Sequence, residues 1–256
     1  MPTRTVFRTV DVPTPDGTAD AYVAHPEGDG PFPAVLLYMD AIGLRPVIRT
    51  MAERLASHGY YVLAPNVFYR HGRAPVFELP DLKVPENREQ LIGRIRPVMQ
   101  AHTPERIVRD ARAYLDFLDA QPEVRTGPAG VTGYCMGGFL ALRTAAEGGQ
   151  RVAAAAGFHP GFLVTDGPDS PHLLAPRITA ELYYGYADDD PTMTAENIDT
   201  FEKALSAAGV RFTAEVYAGA PHGYTMSDTA SYEPAAEERH WQRLLDLLGR
   251  TLAAGR

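Results

Sequence analysis

Short apolar segments alternate with amphipathic segments of helix length along most of this 256-residue chain. From Pro33 onward this alternation predicts an α/β fold with a mostly parallel sheet and helices on both faces, because neighbouring parallel strands need a crossover connection. The predicted strands of this series are 34–39, 60–64, 129–132, 152–158, 178–184 and 211–217, and the predicted helices are 46–58, 104–120, 195–208 and 235–252, with one more directly after Cys135.

The first part of the chain departs from that pattern. Segments 5–12 and 18–24 flank the turn-forming Pro15-Asp16-Gly17, which predicts an antiparallel hairpin. A length of 256 residues and 45% hydrophobic composition suit one domain over residues 1–256. Residues 66–103 interrupt the alternation with prolines, aromatics and charges, and they form either a lid or an ordinary surface connection.

Charge and composition exclude several classes of protein. The net charge of -8 comes without any basic stretch, so nucleic acid is not expected as a partner. The chain has one cysteine and no apolar run of signal-peptide length at its start, which predicts a cytoplasmic protein. No segment approaches the roughly 18 apolar residues of a membrane span, so no membrane partner is expected either. A monomer and a small homo-oligomer both remain open.

The most informative motif is Gly133-Tyr134-Cys135-Met136-Gly137, which lies between a predicted strand and a predicted helix. This G-x-C-x-G pattern is typical of a nucleophile elbow, with cysteine in the place of serine. Glycines are needed because the chain turns so sharply that Cβ atoms would collide. The start of the helix also favours a thiolate and an oxyanion. A free cysteine is more often a small buried hydrophobic residue, but the flanking glycines favour a nucleophile.

The partners of such a nucleophile follow it in a fixed order, first an acid and then a histidine, each after a later strand. His222 follows the strand predicted at 211–217 and is the predicted general base. Asp188 follows the preceding strand and is the predicted acid. Asp189 and Asp190 come next, and we expect the former to be solvated and the latter to belong to a turn or to the start of a helix. The choice among the three stays open.

No feature of the sequence predicts a metal or another cofactor. The other histidines lack the spacing of zinc ligands, and the chain has no glycine-rich phosphate-binding loop. The three consecutive aspartates are not followed by EF-hand spacing. His159, which follows a predicted strand, either borders the pocket or is a hydrogen-bonded structural histidine.

Four stretches of the sequence together resemble the dienelactone hydrolase (carboxymethylenebutenolidase) family of α/β-hydrolases. The resemblance covers nearly the whole chain. They are GYCMGG at the elbow, GYAD at Asp188, AGAPHGY at His222, and block 38–43 followed by SHGYYVLAPNVF. The resemblance implies an α/β-hydrolase fold and the opening of enol-lactones by cysteine attack. It places the catalytic triad on Cys135, Asp188 and His222.

The resemblance also implies a role for the loop after the early strand. A carboxylate in that loop hydrogen-bonds the resting thiol until substrate displaces it, and the matching residue is Asp40, where the family usually has glutamate. The alternative role for Asp40 is to cap the following helix. The backbone N–H groups of Met136 and Ala41 are the predicted oxyanion hole.

Substrate binding is where the chain departs most from the family pattern. Dienelactone hydrolases hold the substrate carboxylate with arginines, and one of them lies shortly after the catalytic histidine, where this chain has Tyr224-Thr225-Met226. Arg88 matches a second arginine, with a solvated surface arginine as the alternative.

Three functions follow from these observations. The first is hydrolysis of a lactone or small carboxylic ester through a cysteine acyl-enzyme. The second keeps the triad but acts as a general carboxylesterase or thioesterase on a neutral acyl substrate, which the missing arginine favours. The third is a non-catalytic ligand-binding module. The expected partner in the first two is a small-molecule ester or lactone.

Overall fold

The computed structural model describes residues 3–253, and eight strands in this part of the chain form one sheet. The strands are β1 (Thr5–Thr14), β2 (Gly17–Pro26), β3 (Ala34–Tyr38), β4 (Tyr61–Pro65), β5 (Ala129–Tyr134), β6 (Val152–Phe158), β7 (Glu181–Ala187) and β8 (Phe212–Tyr217). Their order across the sheet is β1-β2-β4-β3-β5-β6-β7-β8. The hairpin β1–β2 and the pair β2–β4 are antiparallel, and all the other pairs are parallel. The predicted α/β fold, with its N-terminal hairpin, is confirmed.

Helices cover both faces of the sheet. They are α1 (Pro46–Ser57), α2 (Pro85–Ala101), α3 (Pro104–Asp119), α4 (Met136–Gly148), α5 (Ala195–Ala207) and α6 (Pro234–Thr251). Helices α1 and α6 are joined by an ion pair between Arg54 and Glu238 at 3.1 Å, and α3 and α4 by one between Arg112 and Glu147. Within residues 3–253, no helix is both long enough and apolar enough to cross a membrane.

The centre of the sheet is buried on both faces. Every residue of β3, β4 and β5 is buried, as expected for parallel strands covered by helices on either side. Helix α6 approaches β5 so closely that a Cβ atom on Gly130 would lie 2.5 Å from Leu248 Cδ2. The carboxyl ends of β3, β5, β7 and β8 therefore project from a rigid layer at one edge of the sheet.

Strand β7 begins three residues later than the sequence predicts. Pro171–Arg177 form a short 3-10 helix, and the strand starts only at Glu181, where it pairs with Ala154 of β6. Apolar residues before Glu181 had suggested an earlier start, but pairing with β6 sets the register. Asp188 is consequently the first residue after the strand.

Residues 66–103 contain one short and one long helix. A short 3-10 helix at Tyr69–His71 is followed by an irregular stretch and then by α2, which buries Leu91, Ile95 and Val98. Helix α2 is therefore packed on the rest of the chain through one apolar face. The role of this segment as a lid stays a prediction.

Candidate active site

The turn after β5 has the backbone shape of a nucleophile elbow. Cys135 has φ 54° and ψ -115°, a conformation that residues other than glycine rarely adopt. Its N–H donates a hydrogen bond to the carbonyl oxygen of Phe158 at 3.1 Å. A Cβ atom on Gly133 would lie 2.0 Å from the carbonyl oxygen of Gly137, and one on Gly137 would lie 2.7 Å from that of Met39. Only glycine fits at either position, as predicted.

The two residues predicted to form the oxyanion hole lie on adjoining segments. Met136 is the first residue of α4, and Ala41 follows β3, whose end packs against Gly137 in the first turn of that helix. Both residues are buried, and neither N–H donates a hydrogen bond within residues 3–253. The first N–H groups of a helix have no partner inside the helix. Both donors are therefore available to an oxyanion.

His222 lies in the loop after β8, and its ring meets a carboxylate from the loop after β7. The distance from His222 Nδ1 to Asp190 Oδ2 is 2.5 Å. Asp190 Oδ1 accepts hydrogen bonds from the Thr192 N–H at 2.8 Å and from the Thr192 hydroxyl at 2.7 Å. The Asp190 side chain is only 1% exposed. Both carboxylate oxygens are engaged, and Asp190 is held in one orientation against the ring.

The carboxylate beside His222 is thus Asp190 and not the predicted Asp188. Asp188 is exposed, and its Oδ2 accepts a hydrogen bond from the Gly219 N–H at 2.7 Å, which ties together the loops after β7 and β8. The intervening Asp189 has φ 50°, and this left-handed residue turns the chain so that the next side chain points inward. The expectation that Asp190 belongs to a turn is also met, because Thr192 bonds its carboxylate.

Charges around His222 favour its protonated form. Burial lowers the pKa of His222, but the negative charge of the neighbouring Cys135 and the hydrogen bond to Asp190 outweigh it and raise the pKa to about 10. Burial raises the pKa of Asp190, while its hydrogen bonds from His222 and Thr192 outweigh that effect and hold the pKa below its ordinary value. At neutral pH the His222 ring therefore carries its proton beside the Asp190 carboxylate.

We expect the His222 ring to stay protonated at pH 8 in the wild-type protein and to lose its proton at lower pH in a Cys135→Ala variant. The reason is that the charge of Cys135 is the largest contribution raising its pKa. Nitrogen-15 NMR of the imidazole groups between pH 5 and 10.5 measures both titrations. His240 serves as the control: burial lowers its pKa to about 3, so its ring should stay neutral over this whole pH range in both proteins. Identical His222 titrations in the two proteins would contradict this charge coupling.

His159 is a structural neighbour of the site. It is completely buried, its Nε2 lies 2.7 Å from the Thr225 hydroxyl, and its ring packs edge-on against His222 with centroids 5.3 Å apart. Burial holds the pKa of His159 well below its ordinary value, so the ring is neutral. The His159 ring therefore packs against His222 without adding a charge to the site. Among residues 3–253, no three His, Cys, Asp or Glu side chains are grouped as metal ligands.

Asp40 does not contact the thiol as the family resemblance implies. Its Oδ1 accepts from Arg45 Nη1 at 2.6 Å, and its Oδ2 accepts from Arg45 Nη2 at 2.9 Å. The N–H of Ile42 also donates to Oδ1 at 3.0 Å. Asp40 does not cap α1 either, because the residue at that position is Arg45. The short aspartate side chain is fully engaged within its own loop, and no feature of the sequence had singled out Arg45.

Arg88 lies close to the loop that contains His222. Its Nη2 would be 3.8 Å from a Cβ atom on Gly223, the residue after His222. Arg88 Nε is buried and has no hydrogen-bond partner within residues 3–253. A cavity of about 750 Å³ lies beside it, with Pro221, Ser231 and Arg96 among its lining residues. Cys135 itself does not line this cavity, which begins at the neighbour of His222.

Comparisons with known proteins show which family this chain resembles. The model of the dienelactone hydrolase family matches residues 19–252. A candidate carboxymethylenebutenolidase from Methylorubrum extorquens is 29% identical over 241 residues, covering 93% of this chain and 78% of the relative. A candidate carboxymethylenebutenolidase from Escherichia coli strain K12 is 29% identical over 242 residues, covering 92% and 83%.

Solved structures show the same fold. The crystal structure of a candidate dienelactone hydrolase from Klebsiella pneumoniae has a TM-score of 0.81 at 23% identity, covering 97% of this chain and 100% of that one. A dienelactone hydrolase-like promiscuous phosphotriesterase from metagenomic libraries has a TM-score of 0.78 at 25% identity, covering 96% and 98%. With the family model spanning most of the sheet and all of the loops described above, this chain belongs to the dienelactone hydrolase family, whose members hydrolyse ester and lactone bonds.

Proposed function

We propose that this protein hydrolyses a lactone or a small carboxylic ester through an acyl-enzyme on Cys135, with His222 and Asp190 completing the triad. The observation that carries the proposal is that three side chains, those of Cys135, His222 and Asp190, lie next to one another in this order. Cys135 projects from a strained turn, His222 lies beside it, and Asp190 holds the far side of the ring at 2.5 Å. A nucleophile, a base and an orienting acid in this order are the arrangement that acyl transfer requires.

In the first half of the reaction, the Cys135 thiolate attacks the carbonyl carbon of the substrate. The oxygen becomes an oxyanion and accepts hydrogen bonds from the N–H groups of Met136 and Ala41. When the tetrahedral intermediate collapses, the C–O bond breaks and the leaving oxygen takes the proton of the His222 imidazolium. Cys135 then carries the acyl group as a thioester. In a lactone the leaving oxygen remains attached to that acyl group.

In the second half, neutral His222 takes a proton from water, and the resulting hydroxide attacks the thioester carbonyl. The C–S bond breaks, the acid is released, and Cys135 returns to a thiolate beside protonated His222. Asp190 keeps Nδ1 as the donor to itself throughout, so that Nε2 faces the reacting groups. The charges that raise the pKa of His222 also restore its protonated state after each turnover.

Arg88 supports a substrate that carries a carboxylate. Its guanidinium lies next to the loop of His222, and no acidic side chain within residues 3–253 forms an ion pair with it. A positive group so placed can bind an anionic part of the substrate through charge-assisted hydrogen bonds. This supports the lactone hypothesis, in which a small acid bears both the scissile bond and a free carboxylate.

A specific observation favours a neutral ester or thioester as the second candidate. The family pattern has a substrate-binding arginine shortly after the catalytic histidine, where this chain has the buried residues Tyr224-Thr225-Met226. The Met226 sulfur lies 3.4 Å from Arg45 Nη2. The site therefore has fewer positive groups than the family pattern. A site with fewer positive groups suits an acyl group without charge.

We test the proposal by measuring hydrolysis of a cis- and trans-dienelactone pair and of p-nitrophenyl acetate. The variant Arg88→Met is expected to raise KM for the carboxylated lactones about 10- to 100-fold, since a hydrogen bond to a charged group contributes about 1.5–3 kcal/mol. KM for the neutral aryl ester should not change. Arg94→Met is the matched control, because Arg94 lies on the same helix but faces Phe77 at 5.5 Å.

Each outcome decides between the candidates. Turnover of the lactones with the Arg88 effect supports the carboxylated substrate. Turnover of the aryl ester alone leaves the triad and replaces the lactone assignment by a general esterase. Absence of turnover on all three substrates favours the non-catalytic ligand-binding module.

A further inference from the structure

Arg45 joins the two loops that flank the elbow. It is the residue before α1, and its side chain is only 1% exposed. One face of the guanidinium fork binds both oxygens of Asp40, as described above. Nε donates to Asp228 Oδ2 at 2.6 Å, and Nη2 donates to Asp228 Oδ1 at 3.2 Å. A single buried cation thus connects the loop after β3 with the loop that follows His222.

Burying these ions costs desolvation free energy, so a contribution to stability does not by itself explain the arrangement. Removing an arginine and a carboxylate from water costs several kcal/mol per ion, and well-packed apolar residues usually stabilise a core as well or better. The planar guanidinium, however, fixes two carboxylates in defined directions, which lysine cannot do. The geometry therefore points to a role for Arg45 in orienting the loop after β3 relative to the loop that follows His222.

We propose that Arg45 is a positioning residue that withholds the Asp40 carboxylate from Cys135, so that the resting cysteine is paired with His222 before any substrate binds. The inference rests on the proposed function in taking Cys135 as the nucleophile. It differs from the family pattern, in which a carboxylate of this loop engages the resting thiol.

The position of Asp40 shows why it has to be held. It follows Met39 directly, and the carbonyl oxygen of Met39 lies against Gly137 in the elbow. A carboxylate released there would accept a hydrogen bond from the neutral thiol or repel the thiolate, and either interaction opposes ionisation of the thiol. The ionisable groups around the elbow form two sets. One is His222 with Asp190 and His159 behind it, and the other is Asp40 with Arg45 and Asp228.

The test is the rate at which iodoacetamide alkylates the substrate-free protein between pH 5 and 9. The chain has one cysteine, so all of the label reports Cys135. Arg45→Met is expected to slow alkylation at pH 7 about tenfold, because the freed Asp40 charge opposes the thiolate. Adding Asp40→Asn should restore the rate to within about threefold of wild type, and Arg45→Lys should lie between.

Arg49→Met is the matched control, since Arg49 lies one turn further along α1 in an exposed pair with Glu53. It should alkylate at the wild-type rate. A wild-type rate in Arg45→Met, or a slow rate that Asp40→Asn does not restore, overturns the proposal. A purely structural role would lower thermal stability without this pattern of rescue.

Asp40→Asn alone keeps the proposal testable if Arg45→Met does not fold. Because Arg45 already withholds this carboxylate, the single variant should alkylate within about threefold of wild type. Acceleration by more than about tenfold would show that Asp40 opposes the thiolate in the native protein, against the proposal. Alkylation needs no ester substrate, so a failure of the proposed hydrolysis would leave this result unaffected.

Discussion

The Cys135→Ala variant is expected to lose about 10⁵-fold in kcat/KM for every ester or lactone that the wild-type protein hydrolyses, as removal of a covalent nucleophile does in other acyl-transfer enzymes. Alanine removes the only group in the proposed mechanism that forms a bond to the substrate. The donors of Met136 and Ala41 remain and can still polarise the carbonyl, so a small residual rate over water is expected.

Steady-state hydrolysis of p-nitrophenyl acetate and of the dienelactones measures this loss. The elbow should stay intact, because its shape depends on Gly133 and Gly137 and on main-chain contacts of residue 135. Circular dichroism and the thermal midpoint serve as the control for folding. A variant that retains more than about a tenth of the wild-type rate would exclude Cys135 as nucleophile.

The second large effect separates two neighbouring aspartates. Asp190→Ala should lower kcat by about 10³-fold, because His222 then loses the carboxylate that selects its tautomer and stabilises its charge. Asp188→Ala should leave kcat within about threefold and lower the free energy of unfolding by about 1 kcal/mol, the value of one hydrogen bond to the Gly219 N–H.

Kinetics and urea unfolding of the two variants, made side by side, check both halves of this prediction. Asp189→Ala is a useful third protein, since its side chain is exposed but its backbone has φ 50°. This substitution should change the free energy of unfolding more than it changes kcat. Equal losses of kcat in Asp188→Ala and Asp190→Ala would mean that the loop as a whole, and not one carboxylate, orients His222.

The sequence predicts those parts of the molecule that depend on local pattern. The alternation of strands and helices yields the sheet, and the two glycines around Cys135 yield the elbow, because both depend on residues close together in the chain. His222 follows from the order of the partners after the elbow. Its position beside Cys135 agrees with that expectation.

The parts that the sequence does not predict depend on single backbone angles or on distant contacts. Asp190 replaces Asp188 beside His222 because Asp189 is left-handed, and three identical side chains in a row carry no sign of which one points inward. The pairing of Arg45 with Asp228 spans 183 residues, so no spacing rule could indicate it. The Asp-x-Thr pattern at residues 190–192 was the one local signal available, since the Thr192 hydroxyl and N–H fix the carboxylate.

The glycine contacts of the elbow have a consequence for how the chemistry of such a fold can change. The turn is shaped by Gly133, Gly137 and the hydrogen bond from the Cys135 N–H, and none of these involves sulfur. Oxygen could therefore replace sulfur at residue 135 without moving the chain. A hydroxyl, however, keeps its proton until the moment of attack, while thiols in general are acidic enough to ionise before substrate binds. One atom, on an unchanged backbone, separates a nucleophile that must be activated in every turnover from one that can be held ready.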